Sequence, residues 1–405
     1  MQKKKKKISL VLKALIIFLI IVILECCFQV FVKSKENTKI ADNSENKVKN
    51  EEIEEIIIPE DITITLTAIG DIMCHNSNYN DAYDSAVGGY DFSYVFSDIK
   101  DYVQNADIAV GNLETTFAGA ERGYSNYPTF NTPEALAGNL REMGIDLLST
   151  ANNHSLDKGY SGLESTLSFL EQEGIAHTGT YTSQESQGTP VIQNVNGINI
   201  AFLSFTYGTN GIPVPSGKEY CIDLINDEHI INKLNLAKAQ SPDVICVFMH
   251  WGVEYRLTPT EEQERLADLL FQNGVDIILG SHPHVLEKME KRTVTLEDGT
   301  IKDGFVIYSL GNFMSGQVKE NTKNSIILNL TITKHGEDGR ITIDHANYTP
   351  IYMYKRASGI KRYKILDIAK TISEYESGQS VVTQAEYNTL KKEYDKIIST
   401  VGNSF

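Results

Sequence analysis

The 405-residue chain carries 37 lysines and arginines against 53 aspartates and glutamates, a formal net charge of −16 at pH 7, and 41% of its residues are hydrophobic. That length supplies one large domain or two modest ones with ample material for a core. The acidic excess argues against a nonspecific binder of nucleic acid or anionic lipid, since a polyanion is repelled wherever bound cations do not reverse the local sign.

The amino-terminal end departs from this balance. Lys3 to Lys7 form a basic cluster, and Ala14 to Val32 is apolar apart from Glu25 and Gln29. A membrane-spanning helix needs about 20 apolar residues, and lysines on its amino-terminal side keep that end in the cytoplasm. The stretch "ILECCFQ" offers no small-residue cleavage site, and Glu25 rather than a small residue precedes Cys26. Residues 1–33 are expected to be a cytoplasmic tail and an uncleaved single-pass anchor, near residues 8–32, with everything from Ser34 onward outside the cytoplasm. Seven lysines and one glutamate lie in residues 1–33, which leaves 30 basic and 52 acidic residues beyond, a balance of −22. Residues 34–60, rich in Lys, Glu and Asn and ending in "EEIEEIIIPE", read as a hydrated acidic stalk. Cys26 and Cys27 fall in the anchor, and Cys74, Cys221 and Cys246 remain without metal-like spacing, so no disulfide framework is expected.

From Asp61 to Ile69, Ile62, Ile64 and Leu66 alternate with threonines, the period of a half-buried strand. Further strands are expected at Asp107–Val110, Asp146–Thr150, Ile198–Phe205, Val244–Met249, Val275–Leu279 and Phe305–Ser309. Amphipathic helices fall between many of them: one capped by Thr132-Pro133 and ending before Gly144, then Gly162–Glu173, Glu228–Ala239 and Thr260–Asn273. Two later strands, "SIILNLTITK" and "RITIDHANYTPIY", flank the turn "HGEDG", and the chain after Tyr363 reads as a helical tail. Alternating strands and helices predict a mostly parallel sheet, with the late strands forming a second one. Residues 61–355 are expected to be the main domain and 356–405 a peripheral helical tail.

Ligands in such folds gather at the carboxyl ends of strands. The first strand leaves through "GDIMCH" (Asp71, His75), the second through "GNLET" (Asn112, Glu114) and the third through "ANNHSLD" (Asn152, Asn153, His154, Asp157). The fifth leaves through "MHWGVEY" (His250, Glu254), the sixth through "GSHPHV" (His282, His284) and the seventh through "SLGNF" (Asn312). In an extended segment held by Pro283, side chains at i and i+2 share a side, so His282 and His284 are expected to face one point. Each residue alone has an ordinary explanation: a cap for Asp71, a turn for Asn152 and Asn153, a buried histidine for His250, a surface acid for Glu254. Together, carboxylates and imidazoles with an occasional carboxamide suit Mn, Fe, Zn or a mixed dinuclear centre, and not a thiolate site. No G-x-S-x-G, Walker-type loop or dinucleotide fingerprint competes.

The boxes "GDIM", "NLE", "ANNHSLD", "HWGVEY", "GSHPHV" and "YSLGNF", in that order over roughly residues 62–355, resemble the CapA (PgsA-like) poly-γ-glutamate synthesis proteins, a branch of the calcineurin-like metallophosphoesterases. The resemblance implies a four-layer α/β/β/α sandwich, a dinuclear site with two divalent metal ions, and a membrane-anchored extracellular component of capsule or polymer synthesis. It implies ligand roles for Asp71, Asn153, His250, His282 and His284, and for His154 a role on the phosphate or leaving group, with Asp157 beside it. Two boxes depart from the wider pattern. The first has its nearest histidine at His75, four residues after Asp71. Where a bridging aspartate is usual, Asn112 and Glu114 stand, and Glu114 is preferred because a bridge between cations wants a negative charge. Asn152, Glu254 and Asn312 are expected to bind substrate or support the ligands. The function implied is hydrolysis or transfer of a phosphoester. The alternative is a non-catalytic subunit of a membrane polymer synthase or exporter, whose metals bind an anionic chain. Either way the partners are membrane synthase subunits and an anionic polymer or phosphoester, with no nucleic acid.

Overall fold

The computed structural model describes residues 59–379 and 382–405. The expected anchor and nearly all of the stalk lie outside these residues. Among the described residues, no helix is long and apolar enough to cross a membrane.

The threonine-alternating segment is a strand that runs further than its pattern, β1 (Ile62–Met73). Ile64, Leu66 and Ala68 face one core, whereas Ile69 and Ile72 face another. The switch coincides with a register shift between Ala68 and Asp71 in the pairing with the next strand, as an irregularity in the ladder re-aims the side chains that follow it. Behind β1 come β2 (Ile108–Leu113), β3 (Leu147–Ser149), β4 (Ala176–Thr178), β5 (Val191–Val195), β6 (Ile198–Thr206), β7 (Val244–His250), β8 (Ile277–Ser281), β9 (Met289–Thr295) and β10 (Ile301–Ile307). The last four are β11 (Asn312–Ser315), β12 (Asn324–Lys334), β13 (Ile341–Lys355) and β14 (Tyr363–Asp367).

They form two large mixed sheets. One has the order β14-β13-β12-β1-β2-β3-β4, with β11 also beside β1, and the other the order β9-β10-β8-β7-β6-β5. Strands β1 to β4 are mutually parallel, as are β6, β7, β8 and β10. The division of strands differs from the expectation. The late strands do not make the second sheet; β12 pairs antiparallel to β1, Leu66 opposite Leu330, and the middle strands make it instead. Alternation specifies which face of a strand is buried, not which strand lies beside it.

One core lies between the sheets, where Leu66, Val110 and Leu328 meet Phe202, Phe248 and Leu279. On the outer face of the first sheet, Leu136 and Leu140 of α1 (Ala135–Met143) and Leu170 of α2 (Gly159–Gln172) pack with Ile69, Ala109 and Leu148. On the outer face of the second, Leu234 of α3 (Asp227–Lys238) and Leu266 and Leu270 of α4 (Glu261–Gln272) cover Leu203, Val247 and Ile278. The layers are thus helices, sheet, sheet, helices. Both sheets send the carboxyl ends of their parallel strands to the same region, where Asp71 opposes Asn312 and Ser281 opposes His250 across the ladders.

The tail is the second correction. It opens with the sheet strand β14, paired to β13 from Ile351–Asp367 to Lys355–Tyr363, and continues as α5 (Ile368–Glu376) and α6 (Gln384–Val401). Leu390, Ile397 and Val401 of α6 join the core cluster that lies between the sheets, and the backbone of Phe405 exchanges hydrogen bonds with Ala346. Its acidic, lysine-rich outer face concealed an apolar stripe at helical spacing. Ile397→Ala is therefore expected to destabilise the protein by about 2–5 kcal/mol, the range for truncating a buried large aliphatic, measured by urea denaturation of the full chain. A loss below about 0.5 kcal/mol, the size of a surface substitution, would mean that α6 is peripheral after all.

Candidate metal centre

Six strand ends meet at one buried cluster. Asp71, at the register shift of β1, is fully buried and takes the Asn112 Nδ2–H on Oδ1 at 2.9 Å. Its backbone N–H donates to Gly311 O at 2.8 Å. That approach requires Gly70, because a Cβ there would collide with the Gly311 carbonyl. Glu114, just past β2, is also fully buried, anchored by its N–H to Ile72 O at 3.0 Å. His250 ends β7, with Nδ1 2.9 Å from Ser281 Oγ.

The two histidines of "GSHPHV" converge by a different route from the expected one. The segment is not extended: φ is 97° at His282 and 59° at His284, so the chain turns through the left-handed region at both. Such conformations cost on the order of 1–3 kcal/mol each and persist where the surroundings over-determine them. The backbone is pinned: the Tyr255 N–H donates to Pro283 O at 2.7 Å, and at Gly280 a Cβ would collide with the Tyr308 carbonyl. The rings end 5.9 Å apart, centroid to centroid.

Two groups of donors result, each with all ligand atoms within 4.8 Å of one another: Asp71, Glu114 and His250, and Glu114, His282 and His284. Glu114 is common to both. Its Oε1 lies 3.6 Å from His250 Nε2 and 3.7 Å from His284 Nε2, and Asp71 Oδ2 lies 3.3 Å from His284 Nδ1. Asn153 Oδ1 stands 3.1 Å from His250 Nε2. With metal–ligand bonds of about 2.1 Å, neighbouring donors on a cation sit about 3.0–3.4 Å apart; the Asn153 and Asp71 spacings fall in that range and the two from Glu114 slightly exceed it.

The chemistry of the donors also fits a cation. Both Glu114 oxygens and His282 Nδ1 are buried without a hydrogen-bond partner, and such orphans are rare because each costs roughly 1–3 kcal/mol. Among the described residues, no lysine or arginine pairs with Asp71 or Glu114. Burial, then the Asp71 and Glu254 carboxylates, pushes the Glu114 carboxyl well above its usual range. Burial and the neighbouring imidazoles hold His250 well below its usual value, and push His282 down to about 3. Neutral imidazoles and a carboxylate lacking a counter-charge are what a divalent ion uses.

The other expected residues fall around this cluster. His154 Nδ1 is 2.7 Å from Asp157 Oδ2, which also accepts the Phe130 N–H at 2.6 Å, and the Phe130 ring meets His154 edge-on at 4.8 Å. Asn112 donates to Asp71 Oδ1, and its own Oδ1 lies 3.5 Å from Asn152 Nδ2. Asn152 binds Leu113 O at 2.7 Å. Asn312 spends its amide hydrogens on Gln317 Oε1 and Thr322 O, both at 3.0 Å. Glu254 is exposed and acts on Glu114 only through its charge. His75 stands outside both groups. Past β1 it becomes the cap of the short helix Asn76–Ala82, with Nδ1 3.1 Å from both Met73 O and the Gly316 N–H. Three contributors went unread in the sequence: Ser281, Tyr207 and Asn210. The last two lie at the exit of β6, "TYGTNG", which ends the expected strand Ile198–Phe205.

A sequence profile of the bacterial capsule synthesis protein family PGA_cap matches residues 65–317, and the chain belongs to that family. It is 28% identical over 286 residues to the capsule biosynthesis protein CapA of Bacillus anthracis, covering 68% of this chain and 66% of that protein, just under two thirds of its length. It is also 28% identical over 298 residues to the PGA biosynthesis protein CapA of Bacillus subtilis (strain 168), covering 73% of each. Among solved structures it is similar to a calcineurin-like phosphoesterase of Bacillus subtilis, with TM-score 0.42 and 14% identity, covering 84% of this chain and 98% of that one.

Replacing His282 and His284 together with alanine should remove most bound metal, measured by elemental analysis of the full chain. It should also remove the stabilisation that linkage confers, about 3 kcal/mol at a hundredfold excess of free ion over Kd. Because the raised Glu114 carboxyl must lose its proton to the cation, the apparent affinity should fall as pH falls, with proton release visible as a buffer-dependent binding enthalpy. Equal metal content in wild type and double variant would count decisively against the site.

Proposed function

We propose that this member of the capsule synthesis family is a phosphoester hydrolase, or a transferase passing the phosphoryl group to a hydroxyl or amine, that works on two divalent ions chosen from Mn, Fe and Zn. The observation that carries the reading is Glu114: one fully buried carboxylate, shared by two donor groups, with neither oxygen satisfied by the protein. Asp71 and His250 would hold one ion and His282 and His284 the other, with Asn153 adding an oxygen beside His250. When bound, the ions supply an activated water and a positive clamp for a phosphoryl oxygen.

The remaining steps belong to side chains of this chain. With Nδ1 committed to Asp157, Nε2 is the ring nitrogen of His154 left to exchange a proton with substrate. The Phe130 N–H and ring keep the pair from swinging. A histidine so held can protonate a leaving oxygen. The exposed Glu254 at the rim would disfavour anions that are not drawn in by the ions.

The names of the relatives, capsule and PGA biosynthesis, support a place in the assembly of an anionic envelope polymer alongside membrane synthase subunits. The basic cluster and apolar run of the first 33 residues support single-pass anchoring with the main domain outside the cell. Protease added to intact cells should then cleave within residues 60–355, and protection of that region would overturn the topology.

Activity is tested with the metal-loaded full chain on an activated phosphodiester or monoester. His154→Ala should lower kcat by roughly 10²–10⁴, the usual share of a general acid, at unchanged metal content. Asp71→Ala should remove metal and activity together. No turnover by wild type, with surface polymer still dependent on the metal ligands but not on His154, would establish the non-catalytic subunit instead.

A further inference from the structure

The turn behind β6 controls the one donor whose chemistry depends on which way round it sits. A carboxamide offers an oxygen at one corner and two N–H donors at the other, and only the oxygen suits a cation. Asn153 is buried, and its Nδ2 lies 3.2 Å from Tyr207 Oη and 3.2 Å from Asn210 Oδ1. Both amide hydrogens are therefore used, and Oδ1 is left facing His250 Nε2. Asn210 reaches this place because its backbone is left-handed, φ 52°, a conformation asparagine tolerates better than most residues. Its own Nδ2 then lies 3.4 Å from His154 Nε2. Tyr207 is fixed by its N–H to His250 O at 3.1 Å and by its ring, 4.6 Å from that of His282.

We propose that Tyr207 and Asn210 are positioning residues that lock the Asn153 carboxamide with its oxygen toward the cation position beside His250, Asn210 also bridging Asn153 to His154. The proposal rests on the metal reading above and adds to it a second set of residues on which affinity depends. Without those two oxygens the amide is free to turn, presenting N–H groups to the ion and withdrawing a ligand.

The test uses Co(II) as probe, with the full chain, read by calorimetry and by the visible absorption of the bound ion. The double variant Tyr207→Phe with Asn210→Ala should bind about 10- to 100-fold more weakly, the usual effect of removing a residue that orients a ligand, and its spectrum should change. Asn210→Asp keeps an oxygen acceptor for Asn153, so its affinity should equal or exceed that of wild type. Unchanged affinity and spectrum in the double variant would overturn the proposal, as would an Asn210→Asp loss as large as that of the double variant. If the double variant does not fold, Tyr207→Phe alone decides: a weaker site supports the lock and an unaltered one overturns it. Failure of wild type to bind Co(II) would sink the metal reading and this proposal with it, whereas a tight wild-type site indifferent to all three variants sinks this proposal alone.

Discussion

Two carboxylates, Asp71 and Glu114, lie completely buried with no lysine or arginine against either among the described residues. Leaving a charge buried and unpaired costs several kcal/mol, and burial beside Asp71 and Glu254 pushes the Glu114 carboxyl well above its usual range. The protein itself supplies hydrogen bonds to Asp71 and none to the side-chain oxygens of Glu114. The surrounding groups are consistent with that demand: three imidazoles in reach, two of them held neutral by burial, and a carboxamide oxygen aimed at the same place. A cation held there would invert the local sign in a chain of otherwise acidic balance.

The architecture serves this cluster by bringing the ends of two parallel strand sets together from separate sheets. Asp71 and Glu114 come from one sheet, and His250, His282 and His284 from the other. The core between the sheets holds the two halves in register, and interiors this close-packed move little. The junction depends on backbone approaches that tolerate no side chain, at Gly70 against Gly311 and at Gly280 against Tyr308. Left-handed backbone at His282, His284 and Asn210 then turns side chains inward. Strain at these positions is concentrated where ligands must be aimed.

Much of this was legible in the chain itself. The strand positions matched to within a few residues, because burial on both faces leaves short apolar runs bounded by turn residues. The strand-end rule singled out Asp71, Glu114, His250, His282 and His284, which the fold brings together because parallel strands deliver their carboxyl ends to one place. The reason given for the histidine pair did not hold, as a left-handed turn rather than an extended segment brings the rings together. His75 was placed by proximity in sequence, but four residues beyond Asp71 the chain has already turned into a helix cap. The stripe of Leu390, Ile397 and Val401 was hidden among charges, so the tail's part in the core went unread.

The sequence by itself determined the types of donor, their attachment to strand ends, the period of each strand and helix, and membership of the family, because each depends on residue identity and local spacing. Only the tertiary structure decided which strands are neighbours, that Glu114 is common to both groups of donors, and that Tyr207 and Asn210 consume both amide hydrogens of Asn153. Those outcomes depend on distances between residues far apart in the chain, such as Asp71 and His284, 213 positions apart. Hydrogen-bond direction and side-chain convergence are set by packing across two sheets, and no local pattern carries that information.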